Sequence, residues 1–187
     1  MMSQPLPLAA SQQPQDLPFH AEVSGDIAAP VEAVFAHIDD HARLATHMSQ
    51  PSWRMGGGQM QLETDAAHGQ SIGSHMRLAG RAFGLILKVE EQVTERQPPW
   101  RKYWQTVGSP RLLVIGHYRM GFELTRQGEA SRLRVVIDYA LPGWHLARWL
   151  ARPLAQQYAR WCVRSMLRDT ARAFAGAKQD KSQGATS

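Results

Sequence analysis

Between Gln59 and Leu141 the sequence alternates apolar and polar side chains with a period of two, and this alternation constrains the fold more than any other feature. Short segments rich in Gly, Ser and Pro interrupt it. A period of two is typical of strands with one buried face, and hairpin-length loops join antiparallel neighbours. The segment therefore predicts an antiparallel meander of about six strands with one apolar face and one polar face.

One parity of these strands is apolar, and we expect it to face the interior and to line a ligand cavity. Its candidate cavity-lining residues are Met60, Leu62, Met76, Leu78, Phe83, Leu85, Leu87, Trp104, Tyr118, Met120, Phe122, Val135, Ile137 and Tyr139. The positions assigned to this face include no Asp, Glu or His, which favours a binding protein over an acid–base enzyme. A register slip of one residue would exchange the two faces.

The segments that flank the meander predict one further strand and several helices. "FHAEVSGDIAA" alternates like a half-buried strand, and "APVEAVFAHIDD" places Val31, Val34, Phe35 and Ile38 on one helical stripe after Pro30. A second short helix is expected at "HARLATHM". The sequence thus predicts an α+β fold with about seven strands in all and two short helices after the first strand.

The carboxyl-terminal stretch "LPGWHLARWLARPLAQQYARWCVRSMLRDTARAF" predicts helix interrupted at Pro153. We expect a short helix at about 143–152 and a long helix at about 153–175, with Pro153 in its first turn. The candidate residues Leu154, Tyr158, Trp161 and Cys162 share a face of this helix with Leu146, Leu150 and Ser165. A single helix about 10 Å wide cannot fill the concavity of a curved sheet, so a hollow is expected between them.

Reactive groups in the sequence have simple structural interpretations. Cys162 is the only cysteine, and a buried small hydrophobic role is favoured over a catalytic thiol. His37 and His41 stand four residues apart, but no glutamate completes a metal motif, so we expect neither metal nor cofactor. The "GGG" at 56–58 lacks the Lys-Ser/Thr of a phosphate loop.

Length and composition indicate one domain. The 187 residues divide into an expected disordered tail at 1–17, a single domain at 18–176 and a polar tail at 177–187. No stretch approaches the roughly 20 apolar residues of a membrane span. A single cysteine and the lack of a basic, apolar leader favour the cytoplasm.

Charge is distributed unevenly along the chain. Residues 1–100 carry 6 basic and 11 acidic side chains, whereas residues 101–172 carry 13 and 4. Arginine on exposed strand and helix faces commonly serves only to keep those faces solvated. No nucleic-acid module is recognisable, so we expect no nucleic-acid partner. Trp144, Arg148, Trp149 and Arg152 form a mixture suited to a membrane interface, to gating of a cavity or to simple packing.

Two stretches resemble a known superfamily. "VSGDIAAPVEAVFAHIDDHARL" and "IGSHMRLAGRAFGLILKVEEQVTERQPPWRKYWQTVG" are similar to the opening strand–helix and the central hairpins of the START/Bet v 1-like (SRPBCC) helix-grip superfamily, in particular its polyketide cyclase/dehydrase-like branch. The resemblance spans about residues 18–175. It implies a curved sheet around a long carboxyl-terminal helix, with an apolar cavity between them.

Three functions follow as alternatives. The favoured one is binding of a hydrophobic small molecule, lipid-like or polycyclic, in that cavity, with Tyr118, Tyr139 and Trp104 orienting it. The second is a metal-free cyclase, aromatase or dehydratase, which the resemblance alone suggests and which needs ionisable side chains converging in the cavity. The third is a stress-related interaction module with a filled core. The catalytic residues, the ligand and the oligomeric state stay open.

Overall fold

A computed structural model describes residues 16–40, 59–82, 85–143 and 148–183, and for residues 59, 60, 82, 148–151 and 176–183 it describes the backbone only. The elements along the chain are β1 (Phe19–Ile27), α1 (Val31–Ile38), β2 (Gln59–Thr64), β3 (His75–Ala82), β4 (Leu85–Gln97), β5 (Arg101–Arg111), β6 (Tyr118–Gln127), β7 (Ala130–Tyr139) and α2 (Arg148–Gln183). The predicted second short helix at "HARLATHM" and the "GGG" segment lie outside the described residues.

The seven strands form one antiparallel sheet in the order β1-β7-β6-β5-β4-β3-β2. The predicted meander therefore exists, and the first strand pairs with the last, with Phe19 opposite Tyr139. The pairing of β4 with β5 contains two register shifts, one between Lys88 and Glu90 and one between Val93 and Glu95.

The predicted α1 stripe is confirmed, since Val31, Val34, Phe35 and Ile38 are all buried. Pro30 takes the N-cap position with extended backbone, which suits a residue that has no N–H to donate. The Phe35 ring packs edge-on against Phe122 of β6 at 5.6 Å between ring centroids. Helix α1 thereby closes the end of the sheet that carries the β6–β7 turn.

The carboxyl-terminal segment is one helix, so the predicted break at Pro153 is wrong. Pro153 is the sixth residue of α2 and removes only the hydrogen bond that its N–H would donate to the carbonyl of residue 149. The helix also continues to Gln183, past the predicted end at about residue 175 and into the segment expected to be a tail. "AKQDKSQ" holds no helix breaker before Gly184.

The buried face of α2 differs from the one predicted. Its buried side chains are Ala155, Ala159, Cys162, Val163, Ser165, Met166 and Thr170. Two alanines on this face let the helix approach closely, and it packs chiefly on β1 and β7. A Cβ added to Gly25 of β1 would lie 2.9 Å from Cδ2 of Leu167, so the lack of a side chain at Gly25 makes room for this contact.

The arginines of the sheet are paired with carboxylates, most of them across strands. Seven arginines of β3–β7 lie within 4.0 Å of a carboxylate oxygen: Arg77, Arg96, Arg101, Arg119, Arg126, Arg132 and Arg134. Arg134, for example, donates to Glu22 on β1 and to Glu123 on β6. These pairs explain most of the strand arginines as partners of nearby carboxylates rather than as a surface prepared for an external anion.

Candidate functional site

Most of the residues predicted to line the cavity are buried or half-buried. The buried members are Met76, Leu78, Leu87, Trp104, Tyr118, Met120, Phe122, Val135, Ile137, Tyr139 and Cys162, and the half-buried ones are Leu62, Tyr158 and Trp161. The side chain of Met60 and the whole of Phe83 lie outside what the structure describes. The apolar sheet face and the covering helix therefore meet as the alternation predicted.

Two residues that were predicted to line the cavity are exposed. Leu85 is 51% exposed because it stands at the first position of β4, at the open end of the hairpin with β3. Leu154 is 59% exposed because the buried stripe of α2 is centred on Ala155 and Ala159. One residue turns a helix by about 100°, which is enough to move Leu154 off the packed face.

Glu91 is an ionisable side chain on the inner face, which corrects the expectation that this face has none. It follows Leu87 and Val89 at the same parity of β4, and its side chain is almost completely buried. The alternation of the sequence could have found it, because extending the parity from Val89 by two residues reaches Glu91. The same extension on β5, from Trp104 back by two residues, reaches the fully buried Lys102.

Two neutral donors converge on one oxygen of Glu91. The Trp104 indole Nε1–H donates to Oε1 at 3.1 Å, and the Tyr118 hydroxyl donates to the same oxygen. Three neighbouring strands supply these groups, since Trp104 lies on β5 and Tyr118 on β6. Because both donors engage Oε1, a proton on the neutral carboxyl belongs on Oε2.

Burial sets the protonation of this cluster. Desolvation raises the pKa of Glu91 to about 7, although hydrogen bonds from Tyr118 and Trp104 and the charge of Lys102 favour the carboxylate. Burial, followed by the Glu91 charge and hydrogen bond, raises the pKa of Tyr118 well above its usual value. Glu91 thus titrates near neutral pH, the range in which a carboxyl can both give and take a proton.

Helix α2 brings Tyr158 and Cys162 to the same cluster. The neighbouring Cys162, to which Tyr158 is hydrogen-bonded, and burial raise the pKa of Tyr158 well above its usual value. Tyr158 is nevertheless only half-buried by exposed area. Desolvation raises the pKa of Cys162 to about 12, so it is a neutral thiol at pH 7, as expected for a packed cysteine.

A second buried carboxyl, Asp39, lies at the end of α1 in a different environment. Arg96 donates to both of its oxygens, from Nη2 to Oδ2 at 2.7 Å and from Nε to Oδ1 at 3.1 Å. Lys102 Nζ donates to Oδ1 and to the Asp39 carbonyl oxygen, each at 2.8 Å. Burial alone would raise the pKa of Asp39, but these cationic donors outweigh it and hold the pKa below its usual value.

The structure adds no support for metal binding at His37 and His41. His37 packs edge-on against Phe174 of α2 at 5.4 Å, and its sequence neighbour His41 lies outside the described residues. Within the described part of the chain, no group of three or more His, Cys, Asp or Glu side chains is placed to hold a metal ion. Among the same residues, no helix is long and apolar enough to cross a membrane.

The chain matches the model of a known protein family. The chain belongs to the family described as polyketide cyclase/dehydrase and lipid transport, whose model matches residues 18–175. Comparison with curated protein sequences finds no match.

Solved structures confirm the helix-grip fold. TTHA0849 from Thermus thermophilus is 18% identical, with a TM-score of 0.61 over 84% of this chain and 98% of that one. Ara h 8.0201 is 10% identical, with a TM-score of 0.60 and the same two coverages. The di-domain ARO/CYC StfQ from the steffimycin biosynthetic pathway is 10% identical, with a TM-score of 0.62 over 86% of this chain and 52% of that one. At these identities the likeness concerns the fold alone.

Proposed function

We propose that the protein binds a hydrophobic small molecule, lipid-like or polycyclic, between the inner face of the sheet and α2, within a single domain at 18–176. The observation that carries this proposal is a hydrogen-bonding group with residual accessible surface on a largely apolar face. Glu91 keeps 6% of its surface exposed, and Tyr118, Met120 and Cys162 keep 8% each. Phe122, further along β6, and its partner Val135 on β7 keep none.

The residual surface gathers around one polar group. Tyr118 and Met120 are neighbours on the inner side of β6, and Cys162 and the half-buried Tyr158 of α2 lie close enough to Tyr118 to raise its pKa. A ligand space between the sheet and α2 would be lined by buried side chains that keep some accessible surface, as these do. Apolar burial at about 25 cal/mol per Å² would supply most of the affinity for a ligand there.

Glu91 defines which polar group the ligand presents. Tyr118 and Trp104 hold Oε1, which leaves Oε2 as the oxygen that meets a ligand. Below its pKa the carboxyl donates from Oε2 to a carbonyl or ether oxygen, and above it the carboxylate accepts from a hydroxyl. An apolar molecule with a ketone or hydroxyl group would match the accessible surface of Met120 and Cys162 and this single polar contact.

Binding is tested with an apolar fluorescent dye and by native mass spectrometry of protein purified from cells. The variant Cys162→Phe fills the space beside Glu91 and is expected to weaken dye binding at least tenfold, whereas Ala173→Phe on an exposed position of α2 leaves it unchanged. Glu91→Gln should retain the dye but discriminate less between ketone-bearing and plain hydrocarbon competitors. Absence of a saturable dye site and of any co-purified ligand would refute the proposal.

A second candidate, acid–base catalysis of the cyclase or dehydratase type, is favoured by the Glu91 pKa of about 7. Glu91 would remove a proton next to a substrate carbonyl and return it to the oxygen. The test incubates the protein with a linear poly-β-ketone mimic and follows cyclised product by mass spectrometry. We expect a rate that changes through pH 7 and is lost in Glu91→Gln. Unchanged product formation by Glu91→Gln would rule out Glu91 as the acid–base group, and a rate equal to that without protein would leave the protein as a binder only.

The location of the protein is a separate proposal. Its single, buried cysteine fits a reducing compartment, and we propose the cytoplasm. Fractionation of cells that express the tagged chain tests this location.

A further inference from the structure

The excess positive charge of the whole chain resides on one element. Residues 148–183, which form α2, carry eight basic and two acidic side chains, a balance of +6, whereas the whole chain carries +5. All other residues together therefore balance to −1. Uneven charge of this size creates a local positive potential even though the remainder of the molecule is nearly neutral.

The arginines of α2 differ from those of the sheet in their partners. In the sheet seven arginines have a carboxylate within 4.0 Å, as described above. Among the side chains that the structure describes, no carboxylate lies within that distance of Arg160, Arg164 or Arg168. The Arg168 guanidinium instead donates to Ser165 Oγ at 3.1 Å and to the Arg164 carbonyl oxygen at 3.3 Å. This charge is available to an external anion.

These arginines form a stripe on the exposed side of α2, and the half-buried Trp161 and Leu167, which also pack against the core, flank it. Gln157, Arg160, Trp161, Arg164, Leu167 and Arg168 line a half-open groove of about 440 Å³. Leu154, which is 59% exposed, begins the same stripe one turn earlier. From Gln157 to Arg168 the stripe spans roughly 16 Å at 1.5 Å per residue, far longer than one phosphate group.

We propose that this stripe of α2 binds the surface of an anionic lipid bilayer. A row of guanidinium groups matches a row of phosphodiester and carboxylate headgroups, and arginine pairs with such groups through two parallel hydrogen bonds. The exposed Leu154 and the exposed edges of the half-buried Trp161 and Leu167 supply apolar surface beside the charges, the composition of a helix that lies in a membrane interface. Among the side chains described on α2 the one acidic group is Asp169, which lies off this stripe beside Arg172.

Vesicle co-sedimentation tests the proposal with the full chain. We expect binding to vesicles of phosphatidylcholine with about 30% phosphatidylglycerol, none to phosphatidylcholine alone, and loss of binding in high salt. Each arginine near an anionic surface contributes about fivefold, so Arg160→Gln/Arg164→Gln should weaken binding roughly 25-fold. The matched double variant Arg77→Gln/Arg132→Gln removes the same charge from the outer face of the sheet and should change binding less than threefold.

Three results would overturn the proposal: equal losses in the two double variants, equal binding to neutral and anionic vesicles, or binding of a short DNA or of inorganic phosphate without vesicle binding. Circular dichroism and the thermal midpoint establish that both double variants are folded, which is expected because Arg160 and Arg164 are exposed. An experiment with the inner-face variant Glu91→Gln separates this surface from the ligand site, because that variant should bind vesicles as the natural protein does.

Discussion

Two buried carboxyls, Asp39 and Glu91, lie on the same molecule in opposite electrostatic environments. Asp39 receives hydrogen bonds from two cations, Arg96 and Lys102, and its pKa lies below the usual value. Glu91 receives hydrogen bonds from two neutral donors, and its pKa lies near 7. The first arrangement fixes a charge and ties α1 to β4 and β5, whereas the second leaves a proton exchangeable in the protein interior.

Comparison of Asp39 and Glu91 shows how a structural carboxyl differs from a functional one. A buried carboxylate with complete cationic compensation gains nothing from a ligand. A carboxyl with only neutral donors has one oxygen engaged and carries a residual desolvation cost that a ligand, a proton or a substrate can relieve. Lys102 lies on the inner parity of β5 and acts on both carboxyls, by direct contact with Asp39 and at a distance on Glu91.

The largest expected effect comes from breaking the charged cluster. Asp39→Asn removes the negative charge that compensates Arg96 and the fully buried Lys102, and should lower the free energy of unfolding by about 3–5 kcal/mol. Asp26→Asn breaks the exposed pair with Arg132 and should cost at most about 1 kcal/mol. Urea unfolding of both variants measures the difference. Equal losses would mean that the Asp39 cluster is no more important than a surface pair.

The pH dependence of stability should have opposite signs for the two carboxyls. The folded pKa of Glu91 is raised above its unfolded value of 4.5, so folding binds a proton and stability falls as the pH rises from about 4.5 to about 7. A shift of this size corresponds to about 3 kcal/mol. The folded pKa of Asp39 is lowered, so its contribution is present above its usual pKa and is lost as the pH falls below it.

The measurement is the free energy of unfolding of the natural protein and of Glu91→Gln between pH 4 and pH 8. The Gln variant cannot ionise and should lose the decline between about pH 4.5 and pH 7 while keeping the decline at low pH. A Glu91→Gln curve parallel to that of the natural protein would show that Glu91 does not titrate in this range.

A smaller effect should follow from removing one neutral donor. Tyr118→Phe leaves the buried Glu91 with the Trp104 indole alone and should cost about 1–3 kcal/mol above pH 7, where the carboxyl is ionised. Because the lost hydrogen bond favours the carboxylate, the pKa of Glu91 should rise further. Carbon-13 NMR of labelled glutamate measures this pKa. Tyr103→Phe is the control, since its hydroxyl donates to Glu123 on the outer face; a pKa of Glu91 that responds equally to both variants would contradict the assignment.

The last prediction concerns the reactivity of Cys162 and not stability, because this thiol shares the neutral environment of Glu91. A thiol whose pKa is about 12 holds almost no thiolate at pH 7.5, so alkylation of the folded protein by iodoacetamide should be slower than that of the urea-unfolded protein by several hundredfold. Mass spectrometry of timed samples follows the reaction. Rapid labelling of the folded chain would refute the packed interpretation of this cysteine.

The sequence predicted much of the fold because the period of a strand is simple to recognise. The alternation assigned the buried faces of β3, β6 and β7 correctly at Met76, Phe122 and Val135, and the α1 stripe was correct at all four positions. The prediction failed at two charged positions, because the inward parity was assigned to apolar and uncharged residues only. Glu91 and Lys102 continue the inward parity, but charged side chains are rarely buried without partners that come from other strands.

The amino-acid sequence by itself determined the antiparallel meander, the helix after Pro30 and the concentration of charge on residues 148–183. It could not determine which side of α2 meets the sheet, because Ala155, Ala159 and Cys162 carry less apolar signal than Leu154, Tyr158 and Trp161. Tertiary structure alone decided that Glu91 receives neutral donors and Asp39 receives cations. The reason is physical: the pKa of a buried carboxyl depends on groups that are 13 to 63 residues away in the chain and about 3 Å away in space.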